Sequence, residues 1–228
     1  MTTDARTRER KVYDQIHRAI AERRLLPGAK LTEEALAEVF NVSRARIRRV
    51  LLLLAKEDVV KLELNRGAFV WRPSVSDAKH VLHARRIIEF ELVKEAALNA
   101  SKEQVADLRR IVAEEDKAIR SADYALSIRL SGEFHMALAR CANNPILTEF
   151  LASLISRSYL ILATYQRRDA QSCPNSDHQR LVDLIAKRDA EGALKAQQLH
   201  FEHIEHELDL AEKSTTRLNL KQIFLDRD

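Results

Sequence analysis

Arginine side chains are concentrated in the segment that follows Asn41-Val42. Four of them fall within six residues, directly after a serine. A guanidinium group presents a planar fork of donors that matches the O6 and N7 acceptors of guanine, and it can also clamp a phosphate. The alternative is an ordinary solvated arginine surface. The residues of this cluster are Ser43, Arg44, Arg46, Arg48 and Arg49.

The arginine cluster requires a helix that presents it outward. Ser43 is a favourable N-cap residue, and apolar side chains recur after it at intervals of three and four, so a helix is predicted over 44–57. Helices are also predicted over 8–24 and 33–40, the second capped by Thr32. The inward positions of the arginine-bearing helix are Ile47, Val50, Leu51 and Leu54.

Two short extended segments follow that helix. Residues 59–64 and 68–71 are rich in valine, leucine and aromatic side chains, and Asn65-Arg66-Gly67 separates them, which predicts a β-hairpin with this tripeptide at its tip. The order helix, helix, short turn, helix and hairpin is typical of a winged helix-turn-helix, predicted over 8–73. In such a motif the start of the second helix contacts base edges in the major groove.

The remainder of the chain shows helical periodicity only. Six helices are predicted to form one bundle over 77–212, and residues 213–228 follow as a polar tail. The charge runs Arg109-Arg110 and Glu114-Glu115-Asp116 are expected on solvated faces. The predicted fold class is therefore mainly α. The predicted helices of the bundle cover 77–99, 103–120, 123–142, 145–168, 175–188 and 190–212.

Charge and composition narrow the class of protein. Residues 1–73 carry a net charge of +6 and the remainder −2, so one end of the molecule is expected to meet a polyanion. No uninterrupted apolar run approaches the roughly 18 residues of a membrane span, and no apolar region typical of a signal peptide follows Met1. Cys141 and Cys173 have no metal or redox spacing and are expected to be reduced thiols of a cytoplasmic protein.

The first third of the chain resembles the GntR family of bacterial regulators. The family typically has Thr-Pro where Ala45-Arg46 stands and Glu where Arg49 stands, so this chain carries extra positive charge. The resemblance implies that Arg44, Arg46 and Arg48 contact bases or phosphates. It also implies that the backbone at Gly67 comes close to DNA, with Arg66 beside it. The matching motifs are Pro27-Gly28-x-x-Leu31, Glu33-Glu34-x-Leu36-Ala37, Val42-Ser43-Arg44, Ile47-Arg48 and Asn65-Arg66-Gly67-Ala68-Phe69-Val70.

The helical remainder resembles the FCD domain of the FadR-like branch of that family. Six helices rather than seven are similar to the VanR-type subgroup. The resemblance implies a domain that dimerises and binds a small-molecule effector. The matching motifs are Ala84-Arg85-Arg86-Ile87-Ile88-Glu89, Glu133-Phe134-His135-x-x-Leu138 with Asn144-Pro145, and His178-x-x-Leu181 with His200.

Many members of this branch bind a divalent metal through one aspartate and three histidines. The histidines correspond to His135, His178 and His200, but Ser131 stands at the usual aspartate position. A neutral hydroxyl is a poor substitute for a carboxylate, yet three imidazoles and a water can still hold zinc. Two alternatives stay open: a polar lining that binds an anionic effector directly, and unrelated surface histidines.

Arg85 also has two interpretations. In related proteins this arginine faces the effector pocket and pairs with a carboxylate, a task that suits a bidentate guanidinium. The alternative is an ion pair with Glu89, four residues further along the surface of the same helix.

The predicted function is DNA-binding transcriptional regulation, with repression as the family habit, and not enzymatic catalysis. A homodimer would bind a palindromic operator, and a small carboxylate effector would shift the population between two arrangements of the dimer. Two alternatives are a ligand-independent DNA-binding protein and a metalloenzyme built on the three histidines. No nucleophile–base pair supports the enzyme.

Overall fold

The computed structural model describes residues 3–167 and 175–211, so Cys173 and the predicted tail lie outside it. The predicted fold class, mainly α, is confirmed. The helices are α1 (Thr3–Ala21), α2 (Glu33–Phe40), α3 (Arg44–Lys56), α4 (Val75–Asn99), α5 (Lys102–Arg120), α6 (Tyr124–Cys141), α7 (Pro145–Tyr165), α8 (Asn175–Ala186) and α9 (Ala190–His206). The strands are β1 (Lys30–Leu31), β2 (Val60–Glu63) and β3 (Gly67–Val70).

The first three helices and the strands form a winged helix-turn-helix head. All four predicted inward side chains of α3 are buried. The hairpin is part of a three-stranded antiparallel sheet of order β1-β3-β2, in which Lys30 pairs with Phe69. Strand β1 was not predicted because two residues are too short for a periodic signal. The hairpin turn places Asn65 and Gly67 at positive φ, which explains a glycine at this tip.

The helix ends of the head differ from the predictions in detail. Helix α1 covers Thr3–Ala21 instead of 8–24, and Arg23 at φ 54° turns the chain away after it. Thr32 caps α2 as predicted, with its side chain accepting from the Ala35 amide. Ser43 occupies the N-cap position of α3, but its side chain makes no capping hydrogen bond.

Helices α4 to α9 form the sensor bundle. Its first helix starts earlier than predicted because Ser74 and Asp77 form a reciprocal capping box. The fourth and last helices of the bundle end at Tyr165 and His206, short of the predicted 168 and 212. Their following segments pair instead, as the Asp209 amide donates to the Tyr165 carbonyl at 2.8 Å.

The head packs directly against the sensor bundle. The first turns of α4 and part of α7 contribute to the same apolar core as α1 and α3. Polar contacts surround this seam: Arg157 binds Asp58 at 2.6 Å, and the Tyr165 hydroxyl donates to the Pro73 carbonyl at 2.8 Å. Movement in the bundle is therefore transmitted to the head through side chains in contact.

The apolar composition of helix α7 needs an explanation. Within the described residues, this helix alone is long and hydrophobic enough to cross a membrane. The central helix of a packed bundle has the same composition. Here α7 packs against α1, α4 and α6, and Arg157 at its middle binds Asp58 of the head. Packing inside the protein thus accounts for part of the apolar surface of α7, while Ile146 and Phe150 stay exposed.

We expect Gly132→Ala to destabilise the bundle. An added Cβ would overlap the hydroxyl of Tyr159 and lie 2.7 Å from its Cζ, and both belong to packed helices. Overpacking of this kind costs about 1–3 kcal/mol. Urea unfolding at neutral pH measures the loss, and adding Tyr159→Phe should recover part of it by removing the nearest atom. A Gly132→Ala variant as stable as the unmodified chain would contradict this packing.

Candidate functional site

The outer face of α3 carries two uncommitted arginines. Arg44 is exposed and Arg46 is half-buried. Neither forms an ion pair or a hydrogen bond within residues 3–167 and 175–211. Ile47 and its apolar neighbours hold this helix against the head core, so the arginines face solvent. Their guanidinium groups are therefore available to a ligand.

The other predicted DNA-contacting arginines are held by carboxylates of the head. Arg48 binds Glu33 through two hydrogen bonds of 2.7 Å, from Nε and Nη2. The hydrogen bonds from Arg48 hold the pKa of Glu33 below its usual value. Arg49 pairs with Glu9 on α1, and Arg66 pairs with Glu63 at the hairpin tip. A DNA ligand would have to compete for these three side chains.

A groove of about 410 Å³ separates α3 from the hairpin. It brings together most of the predicted DNA-contacting residues, and it also includes Lys30 from β1. Arg46 and Arg49 lie outside its lining. Lys30 was missed because its strand was not recognised in the sequence. The predicted residues that line the groove are Arg44, Arg48, Arg66 and Gly67.

The three histidines of the bundle come together in its interior. His135 on α6, His178 on α8 and His200 on α9 are 3%, 0% and 0% exposed. Their possible ligand atoms all lie within 4.8 Å of one another, and the Nε2 atoms of His135 and His200 are 3.2 Å apart. The interpretation of unrelated surface histidines is therefore wrong.

A carboxylate stands behind two of these imidazoles at close range. The Nδ1 atom of His178 lies 2.7 Å from Glu115. The Nδ1 atom of His135 lies 2.7 Å from Glu89, an ion-pair distance, although the angle is too oblique for a standard hydrogen bond. Such contacts favour the tautomer with the proton on Nδ1 and leave Nε2 as an acceptor.

His200 follows the same pattern at a longer distance. Its Nδ1 atom is 3.4 Å from Asp177, which also binds the exposed His203 at 2.7 Å. The Nε2 atom of His178 is buried without a hydrogen-bond partner among the described residues. When all three imidazoles carry their proton on Nδ1, their Nε2 lone pairs converge, and a cation between them would satisfy all three. The centre therefore has the donor set of a cation site.

Burial favours the neutral form of two of the imidazoles, His135 and His200. It lowers the pKa of His200 to about 3, with Asp177 opposing the shift, and it also lowers the pKa of His135. Burial would raise the pKa of Glu89, but Arg85 and His135 outweigh it and hold that pKa well below its usual range. Neutral imidazole is the form that ligates a metal ion.

A cavity of about 50 Å³ lies beside the histidines. Arg85 lines it together with Ser131 and His135, and the Nη2 atom of Arg85 is buried without a partner among the described residues. The predicted ion pair with Glu89 also exists, at 2.7 Å, but it is buried and not on the surface. The ion-pair interpretation of Arg85 thus concerns its Nε atom, and the pocket interpretation concerns its Nη2 atom.

Glu115 was misjudged from the sequence. The run Glu114-Glu115-Asp116 was expected on a solvated face, but Glu115 is 2% exposed. It lies three residues after Val112 and three before Ala118, both on the buried face of α5. Helical spacing, weighed above residue charge, would have placed it inward.

The cavity connects physically to the head through α7. Tyr159 lines the cavity and packs its ring edge-on against His17 of α1, with the ring centres 6.1 Å apart. The Nε2 atom of His17 lies 2.8 Å from the Ser156 hydroxyl, one turn earlier on α7. Helix α7 at the cavity is thus in direct contact with α1, which packs on the arginine-bearing helix.

A winged helix-turn-helix joined to a helical ligand-binding bundle defines the class of one-component DNA-binding regulators. Two family models match the chain: "Bacterial regulatory proteins, gntR family" over residues 8–70 and "FCD domain" over residues 80–203. The chain belongs to the GntR family, in the FadR-like branch that carries an FCD domain.

Its curated relatives are regulators along most of their length. The "Uxu operon regulator" of Haemophilus influenzae is 28% identical over 201 residues, which cover 79% of this chain and 74% of the relative. The "HTH-type transcriptional repressor NanR" of Cronobacter sakazakii is 29% identical over 217 residues, covering 85% and 82%. The "HTH-type transcriptional repressor RspR" of Escherichia coli is 23% identical over 197 residues, covering 85% and 86%.

Solved structures share the fold of the whole chain. The chain "E. coli McbR/YncC" superposes with a TM-score of 0.79 at 19% identity, covering 90% of this chain and 97% of that one. A transcriptional regulator from Rhodococcus sp. RHA1 gives a TM-score of 0.76 at 24% identity, covering 88% and 96%. The protein is a DNA-binding transcriptional regulator and not an enzyme, so the metalloenzyme alternative is set aside.

We expect the contact between head and bundle to weaken in mild acid because of His17. Burial lowers the pKa of His17 below its usual 6.5, although Glu57 and Asp14 oppose the shift. In mild acid, the unfolded chain therefore binds a proton at His17 that the folded protein does not bind. The contribution of neutral His17 to the free energy of unfolding is complete above pH 6.5. It falls as the pH drops below 6.5, by up to about 1.4 kcal/mol per pH unit.

Urea unfolding at pH 7.5 and pH 5.5 measures this effect. His17→Phe keeps an aromatic ring at the seam but removes the titrating group, so its stability should fall less between the two pH values. His83→Gln, at an exposed position on α4, should keep the pH dependence of the unmodified chain. An equally steep fall in His17→Phe would show that His17 does not contribute.

Proposed function

We propose that this regulator represses transcription as a homodimer on a palindromic operator, and that a small carboxylate in the sensor bundle releases it. The observation that carries this proposal is the uncommitted arginine face of α3, connected through packed helices to a buried arginine and three histidines. Repression is favoured because two relatives are named repressors. A regulator that binds bacterial chromosomal DNA would act in the cytoplasm, and we propose that compartment for this protein.

In the proposed complex, α3 enters the major groove and the hairpin follows the backbone or the minor groove. Arg44 and Arg46 are the first contacts because no carboxylate holds them in the described structure. Arg48, Arg49 and Arg66 would exchange their carboxylate partners for DNA. An exposed ion pair contributes only about 0–1 kcal/mol to stability, so this exchange would cost little free energy. Gly67, which lines the groove, would bring the backbone of the hairpin tip close to DNA, and Ser43, outside that lining, would contact DNA from the start of α3.

Dimerisation is proposed through an apolar face near the start of α7. Ile146 and Phe150 are one turn apart and are 62% and 61% exposed, and Leu98 at the end of α4 is 59% exposed. The side chain of Asn99 donates to the Ala142 carbonyl, so these two helix ends are neighbours. Two copies joined by a twofold axis would present two heads to two half-sites.

The sensor site combines a metal centre and an anion pocket. His135, His178 and His200 would hold a divalent metal such as zinc, which would supply positive charge and a site for an effector oxygen. The 3.2 Å between two Nε2 atoms is close to the roughly 3.3 Å that tetrahedral zinc ligands require. Arg85 would bind the effector carboxylate through its unpaired Nη2 atom. Six described helices in this domain favour the VanR-type subgroup.

Effector binding would act on the head by displacing α4 and α7. The cavity of about 50 Å³ holds only a few water molecules, so an organic acid has to push its walls apart. Arg85 and Ser158 tie α4 to α7 at 3.1 Å, and both helices continue into the head core. A ligand that binds better to the displaced arrangement shifts the population of dimers away from the DNA-binding state.

Removal of single arginines should separate base contacts from phosphate contacts. An operator fragment is first selected by pull-down of genomic DNA with the full chain. Arg44→Ala and Arg48→Ala should each weaken binding to it by about 1–3 kcal/mol, and a base-contacting arginine should also relax specificity. Fluorescence titrations at several salt concentrations make the measurement. Arg110→Ala on the exposed face of α5 is the control. Unchanged affinity for both head variants at every salt concentration would refute the proposed docking.

The anion pocket is tested by thermal melting of the full chain with acetate, succinate and citrate. At least one carboxylate should raise the melting temperature of the unmodified protein by mass action, and glycerol should not. Arg85→Lys keeps the charge but loses the planar fork, so the response should shrink. The matched control is Arg86→Lys, whose side chain pairs with Glu205. Equal responses in the two variants would exclude Arg85 as the anion-binding residue.

A further inference from the structure

Glu115 is a buried carboxylate that contacts no lysine or arginine within residues 3–167 and 175–211. It is 2% exposed, and its one polar contact within the described residues is the 2.7 Å approach to His178 Nδ1. Glu89 differs because Arg85 binds it at 2.7 Å. An ionised carboxylate inside a protein is costly unless a cation compensates it. Among the described residues, His178 is therefore the partner of this buried carboxylate, and no lysine or arginine balances it.

The residue at position 131 indicates a role for the Glu115 carboxylate. Ser131 lies one turn before His135 on α6, where the resemblance to metal-binding relatives implies an aspartate. Its hydroxyl brings no charge to the centre. Three neutral imidazoles around a divalent ion would leave a charge of +2 in the interior. Ser131 and Glu115 line the same cavity, so a carboxylate missing from α6 is present on α5.

We propose that Glu115 replaces the carboxylate absent at position 131 as the counter-charge of the metal centre. It is a positioning residue: it contacts His178 and fixes the tautomer whose Nε2 atom faces the other histidines. A carboxylate behind an imidazole also makes that ligand more basic, and loss of such a partner typically lowers metal affinity by about 10–100-fold. This inference rests on the metal centre proposed above.

The first test measures zinc affinity of the full chain in competition with a chromophoric chelator. Glu115→Gln keeps the shape and an acceptor oxygen but removes the charge, so we expect its zinc affinity to fall by about 10–100-fold. Glu114→Gln is the matched control: it makes the same change one residue earlier on the same helix, at an exposed position. Its zinc affinity should equal that of the unmodified chain.

Thermal melting separates a counter-charge from a structural hydrogen bond. Without zinc, Glu115→Gln removes an unbalanced buried charge, so the variant should melt at the same or a higher temperature. With zinc, its melting temperature should rise less than that of the unmodified chain. A merely structural role predicts the opposite: a lower melting temperature without zinc and an unchanged rise with it. That result would overturn the proposal.

Charge rescue provides the second variant. Ser131→Asp combined with Glu115→Gln should restore zinc affinity to within a few-fold of the unmodified chain, whereas Ser131→Asn combined with Glu115→Gln should not. Equal affinities in these two double variants would overturn the counter-charge role. Failure of the unmodified chain to bind zinc would overturn both this inference and the metal centre. If the unmodified chain binds zinc and Glu115→Gln binds it equally well, the inference alone fails.

Discussion

The convergence of three buried imidazoles on one point is the constraint around which the sensor bundle is built. His135, His178 and His200 come from three helices, and carboxylates from α4, α5 and α8 face their Nδ1 atoms. Five of the six bundle helices therefore meet at one point, and a cation there would join them. Without a cation, His135 and His200 can share a hydrogen bond between their Nε2 atoms, but the buried Nε2 atom of His178 has no partner among the described residues, which costs free energy.

The position of α4 makes this centre relevant to the head. This helix of 25 residues is about 37 Å long, and it begins at the capping box that follows the hairpin. Its first turns lie in the head core, while Arg85 and Glu89 in its middle contact the histidine centre and α7. A packed helix moves as a rigid element. A displacement at its middle, caused by a change in charge there, would therefore also displace its start.

Sequence periodicity predicted what depends on local patterns. The buried face of α3, the six helices of the bundle and the outward arginines follow from spacing alone. Strand β1 did not follow because two residues carry no period, and its pairing with β3 depends on a distant segment. The role of Glu115 was hidden for a similar reason: its charge suggested solvent, and its partner His178 lies 63 residues away. Ion pairs of the head, such as Glu9 with Arg49, are also tertiary contacts that spacing does not reveal.

The ion pairs of the head bear on how such a surface distinguishes DNA from other polyanions. Glu33 holds Arg48 by two parallel hydrogen bonds, so this guanidinium is oriented before any ligand arrives. A ligand that binds this guanidinium has to replace the hydrogen bonds to Glu33, so it must offer acceptors with a matching geometry. The neighbouring carboxylates also repel a phosphate by their negative charge. Only counterion release or hydrogen bonds that match the arginine geometry would offset this repulsion. The arginine face therefore favours a ligand that satisfies its geometry over one that offers charge alone, which is the requirement for reading a sequence.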